Sequence, residues 1–189
     1  MTGVQTCALP ILGSTGIVSG VSAGSAVISY VLSTGCLVTA TVTVNTTPAA
    51  ITGVPNVCVG STTALSSATT GGTWSSSNTS LATVGGTTGI VLGVAAGTLN
   101  ITYTVGACFV IYPITVNPVP AAITGTATVC VASSTTLADA TTGGTWTSSN
   151  PSVASVNPAS GVVTGFSAGT VIITYTLSTG CFATRVVTV

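Results

Sequence analysis

The chain has 189 residues, with one basic residue (Arg185), one acidic residue (Asp139) and no histidine. An ordinary soluble domain is about 25% charged, so this composition removes whole classes of chemistry. There is no basic patch for a phosphate backbone and hence no nucleic-acid partner, no carboxylate pair for acid–base work, and no imidazole for a triad or a zinc site.

In chain order, residues 1–11, MTGVQTCALPI, look like the translation of a common sequencing-library adapter read from a GTG start. They are set aside as a scar, and Cys7 with them; the alternative is a genuine apolar N-terminal strand. On the adapter reading, the natural N-terminus and any leader lie upstream of this sequence.

Residues 12–47 read as the C-terminal half of a repeat, because GIVSGVSAGSAVISYVLSTGC at 16–36 matches GVVTGFSAGTVIITYTLSTGC at 161–181. Two whole repeats follow, 48–119 and 120–189. PAAITG at 48–53 recurs at 120–125, GGTW at 71–74 recurs at 143–146, Cys58 recurs as Cys130, and Cys108 as Cys181, a period of 72 to 73 residues. The junctions VNTTPAAITG and VNPVPAAITG contain Pro, which ends a ladder and stiffens a linker.

Within each repeat the pattern is all-β. Leu99, Ile101, Tyr103 and Val105 alternate with Thr98, Asn100, Thr102 and Thr104, and Val171, Ile173, Tyr175 and Leu177 repeat the apolar face. A period of two with one apolar face is a half-buried strand. About seven short strands in some 70 residues predict a sandwich. No helical periodicity is present, and no apolar run reaches the ~18–20 residues of a membrane-spanning helix.

The cysteines recur as a pair in each repeat, Cys58 with Cys108 and Cys130 with Cys181, on an early and a late strand. Such pairs read as intradomain disulfides, which would staple a small core and place the chain in an oxidising, extracellular compartment. The alternative is two buried free thiols per repeat. Cys36 matches Cys108 and Cys181, and its partner is expected upstream of residue 1.

Trp74 and Trp146 occupy equivalent positions, where a core Trp is favoured over a sugar-stacking one. The stretch GGTTGIVLGVAAGT lacks Lys and opens no helix, so it is not a phosphate loop. Asp139 and Arg185 make no active site even if they pair, Arg185 otherwise snorkelling, and one Asp is too few for calcium. No metal, cofactor or catalytic residue is expected. Asn45, Asn78 and Asn100 each begin an N-x-[ST] triplet and are candidate glycan acceptors, although chance triplets are expected in a Thr-rich chain.

The segment TWTSSNPSVASVNPASGVVTGFSAGTVIITYT, residues 145–176, resembles the bacterial immunoglobulin-like domain of group 2, as does TWSSSNTSLATV at 73–84. Trp-x-Ser-Ser-Asn, Val-Ala-x-Val, Gly-Val-Val and Ala-Gly-Thr steps carry the likeness over residues 12–189. It implies tandem immunoglobulin-like β-sandwiches of the kind found in stalks of surface proteins. The missing charge and added cysteines depart from the family pattern. The expected role is structural rather than enzymatic: a secreted surface fibre, pilus-like filament or adhesin stalk. Its partners would be neighbouring domains and further copies, through stacking or strand complementation, together with glycans. A carbohydrate- or cell-binding module, and accessory domains of a larger secreted enzyme, are the alternatives.

Overall fold

The structure is a computed structural model describing residues 15–189. The first eleven residues and Cys7, set aside above, lie outside the described residues.

A hairpin comes first. β1 (Gly24–Val31) pairs antiparallel with β2 (Leu37–Val44), Gly24 opposite Val44 and Val31 opposite Leu37. The turn at Ser33–Cys36 is closed by the Leu32 N–H on the Cys36 carbonyl, the bond that Leu177 makes to Cys181 in the last repeat. Among the described residues no second sheet covers this hairpin. Tyr30 is 54% exposed, whereas Tyr175, at the equivalent place, is 6% exposed.

The middle repeat contains β3 (Thr52–Gly53), β4 (Asn56–Cys58), β5 (Thr62–Ser66), β6 (Thr73–Ser76), β7 (Ala82–Val84), β8 (Ile90–Gly93), β9 (Gly97–Val105) and β10 (Cys108–Asn117). They form two sheets, β3-β5-β8-β7 and β4-β10-β9-β6. Leu65, Ala82 and Val91 from the first meet Val57, Trp74, Ile101, Tyr103, Ile114 and Val116 from the second in one buried cluster. This is a β-sandwich, and the alternation of β9 supplies its floor: Leu99, Ile101 and Tyr103 are buried while Thr98 and Asn100 are exposed.

The last repeat follows the same plan with β11 (Thr124–Gly125), β12 (Ser134–Ala138), β13 (Thr145–Ser148), β14 (Ala154–Val156), β15 (Val162–Gly165), β16 (Thr170–Thr176) and β17 (Phe182–Thr188). The sheets are β11-β12-β15-β14 and β13-β16-β17, and the counterpart of β4 is reduced to a parallel bridge between Thr128 and Thr188. A second buried cluster, from Ile123 to Val187, lies between them.

Both tryptophans are core residues. Trp74 packs on Tyr103 with ring centroids 4.5 Å apart, and Trp146 on Tyr175 at 4.6 Å. The Tyr103 hydroxyl donates to the Thr69 carbonyl (2.7 Å) and accepts from the Gly72 N–H (2.9 Å). Tyr175 does the same with Thr141 and Gly144, both at 2.8 Å. The second glycine of each GGTW motif follows from this, because a Cβ on Gly72 or Gly144 would stand 2.5 Å from the tyrosine Cζ.

Candidate functional site

The feature that departs most from the sequence reading is the cystine. Cys58 is bonded to Cys181, across the two repeats, with a Cα–Cα separation of 5.7 Å. The expected pairs Cys58–Cys108 and Cys130–Cys181 are not formed, and among the described residues Cys36, Cys108 and Cys130 are free thiols. The reason is strand geometry. Cys108 opens β10, opposite Val105, whereas Cys58 lies in parallel register with Asn117, the last residue of that ten-residue strand. Nine residues at ~3.3 Å each put the two cysteines about 30 Å apart, far beyond the ~7 Å that a disulfide spans. Cys130 and Cys181 are related in the same way: Thr128 bridges Thr188 near the far end of β17, while Cys181 precedes its start.

The same geometry brings Cys58 and Cys181 together. Cys58 sits at the end of the middle repeat where the chain leaves through Asn117 into the linker. Cys181, fully buried, lies at the end of the last repeat where that linker arrives, its Sγ 4.0 Å from the Asn117 carbonyl oxygen. Gly93 lets the Cys58 segment cross β8 closely, since a Cβ there would meet the Cys58 carbonyl at 2.7 Å.

The two charged residues do not pair with each other. The Arg185 guanidinium donates to the carbonyls of Ile123 and Gly125, the latter at 2.9 Å, tying β17 to β11 in the opposite sheet. Tyr112 does this in the middle repeat, its hydroxyl donating to the Gly53 carbonyl at 2.8 Å. Asp139 Oδ1 accepts from the Thr141 N–H at 2.7 Å, and its Oδ2 is buried without a hydrogen-bond partner. Its counterpart, Ser67, accepts from the Thr69 N–H and donates to the Ala49 carbonyl (2.9 Å), which a carboxylate cannot do. The lone acid and base thus replace neutral hydrogen-bonding residues in a duplicated scaffold. Asp139 borders a shallow, open depression with Thr141, Gly144, Trp146 and Tyr175.

Among the described residues no group of three or more His, Cys, Asp or Glu is placed to hold a metal ion. Asn45, Asn78 and Asn100 are all exposed. Asn78 Oδ1 accepts from the Ser80 N–H at 3.0 Å, fixing a turn.

Comparison with known families settles the lineage. The sequence profile of the bacterial Ig-like domain (group 2) matches residues 38–109 and again residues 110–188. The chain belongs to this family. No curated protein matches it. Among solved structures, the Ig-like repeats are similar to a C-terminal 282-residue fragment of intimin, crystallised in complex with the intimin-binding domain of the translocated intimin receptor. That likeness has 16% identity and a TM-score of 0.48, over 76% of this chain and 64% of that one. Domains 4 and 5 of the S-layer protein SbsC match at 16% identity and TM-score 0.37, over 76% of this chain and 98% of theirs. The human desmocollin-1 ectodomain matches at 12% identity and TM-score 0.29, over 84% of this chain and 40% of that one. The chain therefore spans less than two thirds of the intimin fragment's length.

The outer sheet faces of the Ig-like repeats carry large apolar side chains. Val27 and Val31 of β1, Phe109 and Ile111 of β10, Ile172 of β16, and Phe182 and Val186 of β17 are all exposed. Among the described residues no helix is long and apolar enough to cross a membrane.

Proposed function

We propose that the chain is a structural element of a secreted bacterial surface protein, a fibre or adhesin stalk in which Ig-like repeats stand in series and carry no catalytic chemistry. The observation that carries this reading is the Cys58–Cys181 bond, which fastens one repeat to the next. A bond between repeats does little for a reaction but resists separation of a chain of modules. Disulfides persist in oxidising compartments, which supports an extracellular location. Apart from Arg185 in β17, the exposed apolar strands have no charged residue to guard them, so they favour side-by-side contact with another copy or completion of the β1–β2 hairpin by a strand from a neighbour. Glycans on exposed Asn45, Asn78 and Asn100 would keep such a surface soluble.

Electron microscopy of the full-length protein from its natural source tests this reading. Extended filaments or stalks are expected. Compact, dispersed monomers would overturn it.

A further inference from the structure

Two of the free thiols, Cys108 and Cys130, are not spare. Cys108 occupies in the middle repeat the position of Cys181 in the last, and Cys130 the position of Cys58. The environments match as well as the sequence. The Cys108 thiol donates to the Asn45 carbonyl at 3.8 Å, across the linker that enters its repeat, as Cys181 Sγ faces the Asn117 carbonyl across the next. The crossing that seats Cys58 also recurs. Val59 bridges Gly93 and Val131 bridges Gly165, and a Cβ on Gly165 would meet the Cys130 carbonyl at 3.0 Å. Cys130 is exposed, at the end of the last repeat where β17 runs out, and Cys108 is only partly covered.

We propose that Cys58–Cys181 is one rung of a ladder, and that Cys108 and Cys130 are half-rungs built to take the cysteine of an adjoining repeat of the same kind. The rule is that the early cysteine of each repeat bonds the late cysteine of the repeat that follows. Cys130 therefore takes the late cysteine of a repeat seated after it, and Cys108 the early cysteine of a repeat seated before it. Closing a rung joins two thiols through a new S–S bond and releases two protons and two electrons. A small-molecule disulfide, glutathione disulfide in the assay below, accepts them and leaves as two thiols. The inference rests on the duplicated geometry and not on where the array is displayed.

The test extends the full chain after Val189 by a second copy of residues 117–119 and then of 120–189. In the appended copy the exposed Phe182 (58%) and Val131 (52%) are replaced, Phe182→Tyr and Val131→Ile, to mark both of its cysteine peptides. The protein is oxidised in a glutathione buffer, alkylated, digested without reduction and mapped by mass spectrometry. The expected products are Cys58 joined to the unmarked Cys181 and the unmarked Cys130 joined to the marked Cys181, the unmarked Cys130 escaping alkylation while the marked Cys130, with no repeat after it, is alkylated. A marked Cys181 joined to the marked Cys130, or an unmarked Cys130 that is alkylated, overturns the ladder. The unextended chain gives a second reading that does not depend on the added repeat. There Cys108 and Cys130 should be alkylated, and a Cys58–Cys108 or Cys130–Cys181 peptide overturns the proposal. Loss of filaments in the microscopy above leaves both results unaffected.

Discussion

Replacing Tyr103 by Phe isolates the hydrogen bonds that close the middle sandwich. The ring stays, and with it the packing on Trp74 at 4.5 Å. What goes is the hydroxyl, which donates to Thr69 and accepts from Gly72. Each such bond contributes about 1 kcal/mol net, and a partner left unsatisfied in a partly buried place adds to the loss. The expected cost is about 2 kcal/mol. In a unit of this size 1 kcal/mol moves the midpoint by about 4–8 °C, so the middle repeat should melt about 8–16 °C earlier. Circular dichroism gives the midpoint, and hydrogen exchange read peptide by peptide shows which repeat has loosened. Tyr175→Phe is the matched control, with the same two bonds at 2.8 Å, and should move the last repeat by a similar amount. A Tyr103→Phe midpoint within 2 °C of the parent, or protection lost chiefly in the last repeat, would refute the reasoning.

Three further outcomes are expected. Reducing Cys58–Cys181, which closes a span of 123 residues, should lower the summed free energy of unfolding the two repeats by about 4–5 kcal/mol, read as a drop in urea midpoint. Asp139→Ser should raise stability by about 1–2 kcal/mol in the same assay, because Ser restores the donor that Ser67 supplies in the middle repeat and removes a buried, unpartnered oxygen. Arg185→Ala should cost about 1 kcal/mol, discounted for partial exposure, whereas Arg185→Tyr, which copies Tyr112, should recover most of it in thermal unfolding.

The sandwich was legible because its signals are local. Alternation over Leu99, Ile101 and Tyr103 fixes which face of β9 is buried. The tryptophans were readable as core residues for the same reason. The cystine was not, because spacing and parity tell which face a cysteine points from but not which end of the sandwich it occupies. That depends on the parallel register of Cys58 with Asn117, a contact between residues far apart in sequence. One clue was available: Cys108 opens a strand that runs straight into the next linker, so its partner at the other end had to lie a full strand length away. The roles of Asp139 and Arg185 were likewise within reach. Aligning the repeats sets them against Ser67 and Tyr112, and that comparison turns two isolated charges into two neutral hydrogen-bonding positions.

The cystine also changes what happens when the molecule is pulled by its ends. A tug on residue 48 and residue 189 travels along the backbone to Cys58, jumps the sulfur bridge to Cys181, and continues outward. The intervening chain, most of the 123-residue span, hangs as a side loop that tension cannot unravel. At ~3.4 Å per residue, about 400 Å of slack stays locked for as long as the bridge is oxidised. Such a strand is nearly inextensible over two modules while reaching only as far as its folded length, and a single reductant event would convert it into a long, yielding spring.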